Sequence, residues 1–377
     1  MSPEKKATVK DVAAEAGVSV ATVSFVINGK AGVRPGTRAK VLDTIHRLGY
    51  VPNDAAVRLV SGKSSYARAQ TGRFAFVVAH TTEGGLAHPI IARILNGVTA
   101  ELDRHGYFLS SHIIHTDVLS GDVFPKALRP GTVDGIIFAG GNPGGLVRLA
   151  RTANLPIVLA ETTCEEEAVD AVVLDNVQAS YAAVSLLFEH GHERIGLILD
   201  ARPTSNLTPP RFQGYLTAHM SAGVPVSPDR IVDSILDYES GRNAMRELLS
   251  RSPRVTAVFA MNDYTALGAL HEAQAQEVDV PGEISIVGFD DIDMASQVYP
   301  GLTTVRAPAE DIGRAAARRL CEILSEHDNT PRRQFFFGEV VCRGTVRRIG
   351  EPVRRPPLSG PVTDAAGIRR FLQEEET

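Results

Sequence analysis

The sequence predicts a chain of two architectures: a small all-α head and, behind it, an α/β core built as two lobes. Three observations predict it. Through residues 1–63 the apolar residues fall at helical spacing, whereas from Phe74 short apolar runs alternate with amphipathic stretches. Charge divides at the same place, with ten Lys and Arg against five Asp and Glu in residues 1–63, and 29 against 39 in the rest. The core, placed at 74–348, is long for one sheet, and strand–helix alternation argues for parallel sheets covered on both faces.

Each head element has a local reason. In TVKDVAAEAG, Thr8 is an N-cap with Asp11 three residues on, a carboxylate variant of the capping box. Val9, Val12, Ala13 and Ala16 then line one face, and Gly17 ends the helix in the left-handed region. Ser19 caps a second helix whose inward side is Val23, Val26 and Ile27. Pro35 starts a third, with Val41, Leu42, Ile45 and Leu48 expected inside. A short helix follows Pro52, at about 53–60, and 64–73 has no periodicity and is read as a linker. The end, 349–377, is rich in Pro and charge and is expected to be a disordered tail.

Composition excludes several classes. The 377 residues, 44% hydrophobic and 22% charged, suit a soluble globular protein of two or three domains. No apolar run reaches the roughly 18 residues of a membrane helix, and MSPEKKATVKDV lacks the apolar segment of a secretory signal. Cys164, Cys321 and Cys342 are scattered and odd in number, which fits a reducing cytoplasm and neither a disulfide framework nor a zinc site. The two His of EHGHE, at i and i+2, diverge on a helix and suit no metal. GGNPGG lacks the Lys-Ser/Thr of a phosphate loop. No Ser/His/Asp grouping stands out, so neither an enzyme nor a cofactor is expected.

Two short helices around Gly17 make a helix-turn-helix, the motif whose second helix enters the major groove of DNA. A basic head on an acidic body is the charge distribution expected when one end meets phosphate, although a merely solvated basic surface has the same count. The surrounding residues are more specific. ATVKDVAAEAGVSVATVSFVING and TRAKVLDTIHRLGYVPNDAAVRL, with HERIGLIL, RFQGY, VFAMNDYTALGAL, VPGEISIVGFDDID and PGLTTVRAPAEDIGRAAARRL, resemble the LacI/GalR family of bacterial transcription regulators over about residues 7–347.

That resemblance implies a helix-turn-helix DNA-binding head and a periplasmic-binding-protein-like core whose chain crosses between lobes near 175, 305 and 333. It also implies a homodimer on a pseudo-palindromic double-stranded operator, a hinge helix, and a small-molecule effector in the interlobe cleft, a sugar or sugar derivative. The DNA-binding set it implies is Thr8, Ser19, Val20, Ala21, Thr22, Ser24, Phe25, Asn28, Lys30 and Leu59. Hydroxyls such as Thr22 and Ser24 suit phosphate oxygens, which fix orientation without carrying sequence information. Local capping is the lesser alternative for Ser24 and Asn28. Leu59 falls where the family inserts an apolar wedge into the minor groove. Between Leu59 and Phe74 the chain is several residues longer than usual in the family, which implies a slacker link between head and core.

For the effector, the resemblance implies Arg211, Asn262 and Asp290, with Glu161 a further acidic position. A planar guanidinium, an amide and carboxylates suit vicinal hydroxyls; a buried ionic network between lobes is the other reading of the same residues. Asp263 and Asp291 are expected to cap helices or loops, and Ala307 stands where many relatives have Gln. With no Trp in the chain, stacking on a sugar ring falls to Phe289 or Tyr264. A transport-type sugar-binding protein shares this core, but the basic head argues against it.

The groove-facing positions Val20, Ala21 and Phe25 are apolar where a base-reading helix usually offers Arg, Gln or Asn. Apolar side chains still discriminate, because thymine presents a C5-methyl. Phe25→Arg should move preference toward guanine at the contacted position in a selection from random DNA; loss of binding to every sequence would make Phe25 structural.

Overall fold

A capping box opens the first helix, as the Thr8–Asp11 spacing requires. Asp11 Oδ2 accepts from the Thr8 backbone N–H at 2.8 Å, and Thr8 Oγ1 accepts from the Asp11 N–H at 3.4 Å. The helix, α1 (Val9–Ala16), ends at Gly17 with φ of 64°, where a side chain would be strained. Ser19 Oγ then accepts from the Thr22 N–H at 3.1 Å and starts α2 (Val20–Ile27). The third helix is α3 (Pro35–Arg47). Val12, Ala13, Ala16, Val23, Val26 and Val41 form the buried centre of this three-helix unit.

The structure, a computed structural model, describes residues 8–27, 32–48, 71–79, 84–115, 125–200, 208–326, 328 and 330–354. The chain divides into two compact units, Met1–Ala69 and Gln70–Thr377. The expected hinge helix at 53–60 lies outside the described residues. Leu42, expected inside the head, is 51% exposed. The inward stripe of α3 runs Val41, Thr44, Ile45, Leu48, and Leu42 sits one residue off it. Thr44 is accepted in that stripe because its hydroxyl donates to the Lys40 carbonyl at 2.9 Å.

In the second unit the chain builds one sheet, crosses to another, and returns. The first lobe holds β1 (Arg73–Ala79), α4 (Pro89–Arg104), β2 (Phe108–Ile114), β3 (Gly135–Ala139), α5 (Gly144–Thr152), β4 (Ile157–Ala160) and β5 (Asp170–Leu174). After β5 it passes to the second lobe: α6 (Asn176–Glu189), β6 (Ile195–Leu199), α7 (Thr208–Ala222), β7 (Ile231–Asp233), α8 (Tyr238–Ser250), β8 (Ala257–Ala260), α9 (Asp263–Ala275), β9 (Ser285–Val287), α10 (Asp293–Gln297) and β10 (Thr304–Arg306). Then α11 (Ala309–Glu326) and β11 (Arg333–Phe336) return to the first lobe, and β12 (Glu339–Val341) pairs with β10.

The first sheet has the order β11-β5-β4-β3-β1-β2 and the second β7-β6-β8-β9, with every pair in both parallel. Strands covered on both faces have no polar side to alternate with, which is why β3, β4, β6 and β8 are apolar throughout and buried throughout. All strands of an open parallel sheet end on the same side, and side chains just past their carboxyl ends converge there. The described tail also differs from the expected boundary at 348. Ile349 N–H donates to the His190 carbonyl at 2.9 Å and Val353 N–H to the Phe188 carbonyl at 3.0 Å, so the chain stays packed along the end of α6 to 353.

Helices α4 and α11 touch backbone to backbone. A Cβ on Gly97 would lie 2.0 Å from the Glu310 carbonyl oxygen, and one on Gly313 would lie 2.1 Å from that of Ile94. Gly97→Ala must separate the two helices. It should cost about 1–3 kcal/mol, as other overpacked cores do, and lower the Tm by roughly 2–4 °C per kcal/mol for a unit of this size. An unchanged melting curve would mean the helices are not held this closely.

Candidate nucleic-acid interface and interlobe cleft

Helix α2 carries an apolar inner face and an apolar outer face. Val23 and Val26 are buried, which satisfies the core, while Val20 and Phe25 are 36% and 43% exposed and Ala21 is exposed beside them. Phe25 is therefore not a core residue of the head. Ser19 and Thr22 lie at the helix start, their hydroxyls 2.9 Å apart, and Ser24 is half-buried. Thr8 is exposed and engaged in its capping box. An ion pair between Arg47 and Glu15, 2.9 Å long, ties α3 to α1. Asn28, Lys30 and Leu59 lie outside the described residues.

In the second unit, the strand ends bring together residues that are far apart in sequence. Glu161 follows β4 directly, Asn176 opens α6 after β5, Asn262 comes two residues after β8, and Asp290 three after β9. Arg211, in the first turns of α7, is 4% exposed and joins several of them. Its Nε donates to Asn176 Oδ1 at 2.8 Å, its Nη2 to Asp290 Oδ1 at 3.3 Å, and its Nη1 to the Met261 carbonyl. The guanidinium carbon lies 3.8 Å from the centroid of the Phe289 ring, a cation–π contact on one face.

The acids around this hub are set by burial. Asp290 has φ of 114°, and burial pushes its carboxyl above the usual range while Arg211 holds it back. Glu161, with φ of 54°, accepts from the Leu174 N–H and is pushed up to about 7 by burial. Backbone strain concentrated at such positions accompanies functional sites. Asn262 spends its amide on the frame: Oδ1 accepts from the Thr265 N–H at 2.9 Å, capping α9, and Nδ2 donates to the Leu236 carbonyl at 2.6 Å. Asp263 accepts from the Ile292 N–H at 2.9 Å and from Thr304 Oγ1, the loop-capping role expected of it, and burial pushes it up to about 8. Asp291 differs from expectation. It pairs with Arg306 at 2.7 Å and Arg343 at 2.6 Å, because β10 and the segment after β12 bring both cations to it.

Three residues here escaped the sequence reading. His88, half-buried at the start of α4, sets its ring edge-on to Tyr264 with centroids 6.0 Å apart, so the two lobes meet there. Burial lowers its imidazole below the usual range against the pull of Asp290, and Nδ1 has no hydrogen-bond partner among the described residues. Arg93 reaches from α4 to the Asp291 carbonyl at 2.9 Å and Asp293 at 2.6 Å. Asn176 is the third. Only Asn176 had a signal, its place just past a strand end. Phe289 is fully buried under Arg211, and Ala307 is buried.

Residues 8–53 match the family described as bacterial regulatory proteins, lacI family, and residues 184–346 match a periplasmic binding protein-like domain. Catabolite control protein A of Priestia megaterium is 34% identical over 330 residues, which cover 85% of this chain and 93% of that protein. The chain belongs to the LacI family of transcription regulators. A solved relative, the transcriptional regulator CelR–cellobiose complex, is 31% identical with a TM-score of 0.67, over 90% of this chain and 100% of that one. The lac repressor dimer bound to operator and the anti-inducer ONPF has a TM-score of 0.76 at 23% identity, over 91% of this chain and 100% of that one, a likeness of fold.

This LacI-family chain is thus a DNA-binding transcription regulator, in a family of regulators rather than enzymes. None of its described helices is long and apolar enough to cross a membrane. Its cleft makes a pH prediction. Between 4.5, the ordinary value, and about 7, native Glu161 keeps a proton that the unfolded chain has lost. Its contribution to stability is therefore whole below 4.5 and lost as pH rises through about 7. Glu161→Gln keeps an acceptor for Leu174 and removes the titration. Its Tm gain over wild type should be absent below pH 4.5 and reach a plateau above about 7; a constant offset over that range would overturn the assignment.

Proposed function

We propose that this regulator acts in the cytoplasm as a homodimer, a repressor that binds a pseudo-palindromic operator and is switched by a sugar or sugar derivative in the interlobe cleft. The observation that carries the effector reading is the buried Arg211–Asp290 pair on the Phe289 ring, set where the strands of the second sheet end. Guanidinium and carboxylate present paired donors and acceptors, the pattern that vicinal hydroxyls match. Glu161 adds an acceptor from the first lobe, and Asn262 holds the frame of α9 around them. The cellobiose complex of a 31% identical relative supports the sugar class.

The head reads DNA through α2. Val20, Ala21 and Phe25 face the bases; Thr22 and Ser24 face phosphate, with Thr8 and Ser19 at the two helix starts and Asn28 and Lys30 close after α2 in the sequence. Leu59 of each protomer wedges into the minor groove. Effector and operator are coupled because the ligand binds one lobe arrangement more tightly than the other, and differential affinity is the only source of such a shift.

Selection of bound sequences from random DNA with the purified protein, repeated with a panel of sugars, tests both halves. A two-fold-symmetric site should be enriched, and at least one sugar should change its affinity; no symmetric site would sink the operator reading, and no responsive sugar the effector class. Arg211→Ala, checked by melting to be folded because Arg211 also frames the second lobe, should abolish the sugar response and leave operator binding intact. A variant that still responds would remove Arg211 from the effector site.

A further inference from the structure

The outward side of α2 is not flat. Between it and the start of α3 lies a cavity of about 330 Å³, lined by Ala21, Thr22, Phe25, Val33, Arg34 and Thr37. Its wall is divided by chemistry. Ala21 and Phe25, one helical turn apart, make an apolar surface with Val33, which also packs on the head core and so is fixed in place. Thr22, Arg34 and Thr37 supply hydroxyl and guanidinium donors around it. The first turn of α3 contains no acidic residue, which leaves the positive end of that 13-residue helix without a carboxylate of its own.

We propose that this cavity takes the C5-methyl edge of a pyrimidine in the major groove together with a neighbouring phosphate, so that the head reads 5-methylpyrimidines, thymine and 5-methylcytosine alike. The inference rests on the reading that α2 faces DNA. Side chains of Ala, Phe and Val hold neither donor nor acceptor, so they do not distinguish the O4 of thymine from the amino group of cytosine. What they sense is the methyl, which thymine and 5-methylcytosine share and which uracil and cytosine lack. The donors on the rim bind phosphate oxygens and set the register. Methylation of a cytosine at the contacted position therefore creates a favourable contact where the unmodified base offers none.

The test uses the full-length protein and the duplex enriched from random DNA, in which each thymine of both half-sites is replaced singly by uracil. At the contacted position the loss should be about fourfold, the worth of one buried methyl, and the square of that when both half-sites are changed. At the same position, a 5-methylcytosine–guanine pair should bind about fourfold more tightly than cytosine–guanine. Phe25→Ala should erase both differences while the variant still melts as a folded protein. Equal binding of all the thymine and uracil duplexes by the wild type would overturn the proposal. If no duplex is enriched, the operator reading fails, and competition between poly(dA–dT) and poly(dA–dU) still decides the cavity: preference for the methylated polymer supports it and equal competition ends it.

Discussion

A buried guanidinium sets the terms for the rest of the core. Arg211 is taken out of water, and a charge so placed is tolerated only when most of its donors are paired. The second lobe meets that demand with an amide from the start of α6, a carbonyl from the end of β8, a carboxylate from the loop after β9 and the face of Phe289. Four separate segments are thereby fixed relative to one another. Asp290, which supplies that carboxylate, has a φ of 114°. Removing one partner would leave the others oriented toward a charge they no longer share.

Between the lobes the connection is both apolar and polar, and one buried cluster holds Phe74 and Ile94 of the first lobe with Phe212 and Phe259 of the second. The chain crosses after β5, after β10 and after β11, and side chains bridge at Arg93, which holds the loop after β9 from α4, and at the His88–Tyr264 contact. Asp293 is largely exposed, so its pairing with Arg93 is a modest interaction in water. The lobes are thus joined through shared apolar packing and a few polar bridges, while Arg211 frames the second lobe from within.

Much of this was legible in the sequence. The capping box, the Gly17 turn, the inward and outward faces of α2 and the alternation that builds two parallel sheets all follow from local spacing. Arg211, Asp290 and Glu161 were named from resemblance, and the structure places them just past strand ends or in the first turns of a helix. What sequence could not supply were contacts that depend on the meeting of distant segments. Arg93 and Asp291 are separated by nearly two hundred positions, and nothing near either one marks the other. Leu42 was misplaced for a smaller reason: an apolar residue one step off a helical stripe reads the same as one on it until the neighbouring helix is seen.

The chain beyond β12 has a bearing on how the protein can be handled. Residues 349–353 are bonded to the carbonyls at the far end of α6, while Asn176, beside Arg211, stands at its near end. Fourteen residues of helix separate the two by about 20 Å. A fluorophore carried at the exposed Glu351 therefore stands at the end of α6 opposite the buried guanidinium, where it does not obstruct the cleft.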